Sequence, residues 1–169
     1  LCLWVAGYTI MFATPQKEHE WFQDLMGEWH FVHECSGGPD GSPMRAEGDI
    51  SVSSLQGMWT LIKMSGLGPE GKPFTSLFTL GYDIEQQKYV GTFVGSMMSQ
   101  MWLYEGQLDE TGQKLILNTV GPRMDGAGKA NYQDVLEKVD ADRWKLDSFI
   151  QNDDGTWMHF MESLHTRKS

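Results

Sequence analysis

The chain has 169 residues, 40 % of them hydrophobic and seven of them Trp, enough to bury a substantial core and too apolar for a disordered chain. Thirteen basic residues against 23 acidic ones leave a formal charge of −10, which argues against nucleic acid and against anionic membrane surfaces as partners. Two cysteines, Cys2 and Cys35, form neither a disulfide framework nor a zinc-type pair, as expected of a protein in a reducing cytoplasm.

The opening run LCLWVAGYTI carries no basic residue and is too short to span a bilayer. Met11 is therefore read as the natural start, residues 1–13 as an upstream extension and residues 14–169 as a single domain. Thr14-Pro15 opens the one expected helix, Thr14 as its cap and Pro15 at the first helical position. Trp21 with Leu25, and Phe22 with Met26, stand four residues apart and make one apolar face, and Gly27 stops the helix.

From Glu28 the period changes to two, with Trp29, Phe31, His33 and Cys35 on one face of a half-buried strand. Residues 36–43 are turn-rich. Strands are then expected at about 44–54, 57–65, 74–82, 88–95, 100–108, 113–121, 129–139, 143–152 and 156–166, most of them separated by turn chemistry. In the last strand Trp157, His159, Met161 and Ser163 are expected to face one way. About ten strands joined by tight turns predict an all-β fold, a closed antiparallel β-barrel with the short N-terminal helix plugging one end.

Gly27-Glu28-Trp29 resembles the Gly-x-Trp signature that opens calycin barrels such as lipocalins. The run Gly91-Thr92-Phe93-Val94-Gly95-Ser96-Met97-Met98, continuing through Trp102-Leu103-Tyr104-Glu105-Gly106, is more specific. Together with Glu20-Trp21, Leu80-Gly81-Tyr82-Asp83 and Tyr132-Gln133-Asp134-Val135, it resembles domain-of-unknown-function family 1579 from about Thr14 to the C-terminus. The resemblance implies a calycin-like barrel and brings no reaction, cofactor or catalytic residue. The chain departs from the family at Gln100, where the resemblance leads one to expect His.

Three groups of side chains bear on function. Met97, Met98 and Met101 follow Gly91 and Gly95, which are expected to leave space beside them, so the cluster suggests an adaptable apolar pocket wall. Tyr104, Glu105 and Tyr132, with His159 from the last strand, are candidates to orient a ligand. An inward Glu105 near Tyr132 and His159 would gain acid–base character by desolvation, and Asp134 is the second candidate acid or base. His159 and His165 stand about 20 Å apart along one strand, so only one of them could serve as a single axial ligand, as in a barrel resembling nitrobindin.

No metal site or resident cofactor is indicated: His30 and His33 lie on opposite strand faces, and no phosphate-binding, dinucleotide or nucleophile motif occurs. The leading reading is a barrel that binds a small, mostly apolar molecule. The alternatives are a haem barrel using His159 or His165, an enzyme using Glu105 and Asp134, and a solid structural barrel.

Overall fold

The computed structural model describes residues 13–36 and 42–169; nearly all of the expected upstream segment and most of the turn-rich stretch lie outside the described residues. A four-residue helix, α1 (Lys17–Glu20), runs directly into a 3-10 segment, Trp21–Leu25. Ten strands follow: β1 (Gly27–Cys35), β2 (Met44–Leu55), β3 (Trp59–Leu67), β4 (Pro73–Asp83), β5 (Lys88–Gly95), β6 (Trp102–Leu108), β7 (Lys114–Pro122), β8 (Lys129–Asp140), β9 (Arg143–Gln151) and β10 (Trp157–Arg167). Each pairs antiparallel with its sequence neighbours, and β1 pairs with β10 to close the barrel.

The strand ends fall within two residues of those expected from turn chemistry. The helix start does not. It lies at Lys17, because Gln16 and His19 cap each other: the Gln16 N–H donates to His19 Nδ1 (3.0 Å), and the His19 N–H returns to the Gln16 carbonyl (3.0 Å). Gly27 takes φ +116°, turning the chain from the 3-10 segment into β1.

The helical segment plugs one end of the barrel. Phe22 and Leu25 are buried, with Phe22 edge-on to Tyr89 (5.8 Å between centroids). The Trp21 indole N–H donates to the Gly112 carbonyl (2.9 Å), Trp29 to the Leu25 carbonyl (2.8 Å), and the Tyr89 hydroxyl to the Glu18 carbonyl (3.0 Å). Arg167 fastens the plug from β10. Its guanidinium lies 4.0 Å from the Trp29 ring centroid and donates to the carbonyls of Asp24, Met26 and Ala141.

Closure requires neighbouring strands to coil tightly, and paired glycines permit it. Gly48 on β2 faces Gly66 on β3, and the Phe31 ring lies across both. A Cβ on either residue would stand 2.9 Å from that ring and closer still to the facing strand's backbone. Deleting a plug side chain leaves a cavity at the base of the core. Phe22→Ala is expected to cost about 3–5 kcal/mol, read as a lower urea midpoint with little change in slope.

Candidate functional site

The end opposite the plug carries the 96–101, 123–128 and 152–156 connections. Met97, Met98 and Met101 sit in the first of these, beyond the end of β5, so Met101 lies just outside the strand expected from residue 100. All three are exposed, Met101 most at 56 %. The space expected beside the glycines is occupied. A Cβ on Gly91 would meet Leu80 Cδ2 at 2.5 Å, and one on Gly95 would collide with Met97 Sδ. At Gly95 the filler is the free end of a flexible side chain, which moves cheaply.

Below the methionines stands an aromatic collar. Trp102 donates its indole N–H to Met98 Sδ (3.1 Å) and lies across Gly121, where a Cβ would run into the ring. Tyr132 packs edge-on to Trp102 (5.1 Å) and to Phe160 (6.1 Å), and its hydroxyl donates to the Pro122 carbonyl (2.5 Å). Ala130, Tyr132 and Ile150 form a small buried cluster at this end, distinct from the main core, with Trp102 packed against both.

A polar layer divides the two clusters. On β8, Tyr132 belongs to the upper cluster and Leu136 to the main core, with the buried Asp134 between them. On β9, Ser148 stands between Ile150 and Leu146 in the same way and pairs directly with Asp134. Tyr104 donates its hydroxyl to Asp134 Oδ2 (2.6 Å), and Ser148 donates to Oδ1 (2.5 Å). Burial pushes the Asp134 carboxyl above the usual carboxylate range, against the opposing pull of those two hydrogen bonds. Burial likewise raises the Tyr104 phenol, helped by the adjacent carboxylate. Thr119 pairs with Tyr132 from β7, and its Oγ1 is buried with no hydrogen-bond partner among the described residues.

The other candidates are placed outside this layer. Glu105 lies on the outer face, paired with Lys88, and so does not join Tyr132 or Asp134. His159 is also outside: its Nε2 stands 2.9 Å from Asp147 Oδ1, with its ring beside Phe149. A β-bulge at Phe160 shifts the register of β10, so His159 and Trp157 do not share the inward face of Met161 and Ser163 as the alternation suggested. His165 is wholly buried, its Nε2 2.8 Å from Ser163 Oγ, and the Trp144 ring covers it at 3.7 Å between centroids. Axial ligation takes a ring nitrogen, and at 0 % exposure neither nitrogen of His165 is open to a haem unless the surrounding core moves.

Ser148 is absent from the candidates that the sequence suggests. A signal for it exists: Trp144, Leu146 and Ile150 share its parity, which points a small polar residue inward. Two further pockets open on the barrel's outer surface. One of about 190 Å³ is lined by Arg123, Lys129 and Asp153, and one of about 510 Å³ by Leu55, Trp59, Val90 and Leu103.

A family model described as protein of unknown function DUF1579 matches residues 14–167. The chain belongs to this family. No curated protein sequence matches it. Its fold is similar to that of Rv2717c from M. tuberculosis, with a TM-score of 0.63, 11 % identity, and 92 % of this chain and 100 % of that one covered. More distant likenesses are a de novo designed fluorescence-activating β-barrel (TM-score 0.47, 14 % identity, 86 % and 95 % covered) and EF1p2_mFAP2b bound to DFHBI (0.46, 14 %, 89 % and 99 %). Rv2717c supports the barrel fold alone. No helix among the described residues of this DUF1579 member is long and apolar enough to cross a membrane.

The buried histidine makes stability depend on pH. Burial pushes His165 down to about 3 from the ordinary 6.5, with the nearby His33 adding to the shift. As pH falls below 6.5 the unfolded chain takes up a proton that the folded chain refuses. The stabilisation is therefore complete above 6.5 and is lost toward 3, at up to about 1.4 kcal/mol per pH unit. His33, lowered by its own burial, acts in the same direction, whereas the raised Asp134 favours the fold at low pH. Urea titrations from pH 6 to pH 4.5 are expected to show a shallower loss of stability for His165→Gln than for the parent, by about one proton's slope.

Proposed function

We propose that the barrel binds a small, mostly apolar molecule, admitted between the methionines of the open end and seated against the polar layer below them. The observation that carries this reading is the divided core. An apolar interior with a plug at one end, displaceable side chains at the other and a few polar groups fixed between them has the composition of a ligand site. Met97 over Gly95 and Met98 on Trp102 are the movable parts, and the collar of Trp102, Tyr132 and Phe160 supplies apolar surface. Tyr104, Asp134 and Ser148 orient what enters. The enzymatic reading loses its proposed pair, since Glu105 and Asp134 stand on opposite sides of the barrel wall.

The neutral fluorophore N-phenyl-1-naphthylamine tests the reading. Its emission is expected to rise saturably with the parent protein, and Met97→Trp and Met98→Trp are expected to weaken binding about tenfold by blocking the mouth, a loss of about 1.4 kcal/mol. No saturable signal, or equal affinity in the parent and both variants, would remove the interior from consideration.

A further inference from the structure

The polar layer has a chemical bias. Asp134 is a buried carboxyl whose two oxygens each accept a hydroxyl hydrogen, one from Tyr104 and one from Ser148. The groups that act on it are those two neutral hydroxyls and its own burial, with no cationic side chain among them. The other buried carboxyl of the neighbouring strand is treated differently. Asp147, which faces outward, has Lys145 Nζ at 3.0 Å and His159 at 2.9 Å. A carboxylate inside an apolar interior is costly unless a cation meets it. The interior thus holds a buried carboxyl that the protein itself meets with hydroxyls and with no cation.

Two further features suit an ammonium group. Thr119 Oγ1, buried and unpartnered among the described residues, belongs to the strand row of Tyr132, beside the layer, and offers an acceptor for a second N–H. The surrounding walls are aromatic, the ring type that attracts a desolvated cation: Tyr104 packs against Phe78 (5.6 Å), and Phe78 against Phe93 (4.6 Å). Asp134 lies four residues below Ala130 at the open end, about 13 Å along the strand at ~3.3 Å per residue.

We propose that the ligand of this barrel is an apolar molecule carrying one protonated amine, which pairs with Asp134 while its hydrocarbon part fills the methionine-rimmed end. The proposal rests on the binding function argued above and names the chemical class of its ligand.

Three probes of nearly one shape separate the possibilities: 2-ethylnaphthalene, 2-naphthylmethanol and 2-naphthylmethylamine, each titrated calorimetrically into the intact protein at neutral pH. The amine is expected to bind at least about tenfold more tightly than the hydrocarbon, with the alcohol between them. In Asp134→Asn the amine's advantage is expected to vanish while hydrocarbon affinity is retained. Ser148→Ala, which keeps the carboxylate and removes one of its donors, is expected to preserve or enlarge the advantage. If the hydrocarbon binds and the amine does no better, the amine proposal is wrong and the binding reading stands. An amine advantage that persists in Asp134→Asn would place the charge recognition on the acidic surface and also overturn the proposal. If none of the three binds, the binding reading itself falls. Should Asp134→Asn fail to fold, the order of the three probes on the parent protein decides the matter.

Discussion

Closure of ten antiparallel strands leaves each strand one inner face, and the inward side chains must pack and pair within the enclosed interior. The plug follows from this constraint, since the barrel's base would otherwise expose Trp29, Tyr89 and Leu115. So do the paired glycines under Phe31, which let strands coil where two Cβ atoms would collide. The bulge at Phe160 belongs to the same economy of faces. It sends Phe160 toward Tyr132 while keeping Met161, Ser163 and His165 inside and His159 out.

Against that background the interior polar groups divide by how they are paired. His165 is held neutral, bonded to Ser163 and covered by Trp144, which is a structural arrangement near the plug. Asp134 with Tyr104 and Ser148 is different in kind, because it places an ionisable acid between two apolar clusters and beneath the end that carries the exposed methionines. Replacing such a group with a hydrocarbon of similar size is often neutral or stabilising for a fold.

Much of this was legible in the chain. Turn dipeptides and two-residue alternation marked the strands, and the apolar face made by Trp21, Leu25, Phe22 and Met26 marked the plug. What was not legible depends on tertiary detail. The helix start moved to Lys17 through a local exchange of hydrogen bonds between Gln16 and His19. The bulge at Phe160 has no signature in composition, and it reversed the facing of His159. Gly91 and Gly95 suggested open space, and Leu80 and Met97 fill it. Asp134 and Tyr104 were visible as candidates, whereas their meeting, and the part of Ser148, required the register of β6 through β9.

The central claim is that the ligand sits inside the barrel, above the Asp134 layer, and not in the apolar pocket on the outer wall. Intermolecular nuclear Overhauser effects from bound 2-ethylnaphthalene test it most directly. Contacts to the Met98 methyl and to the ring protons of Phe93, Tyr104 and Tyr132 are the predicted result. Contacts confined to Leu55, Trp59, Val90 and Leu103 would place the ligand on the outside and contradict the account.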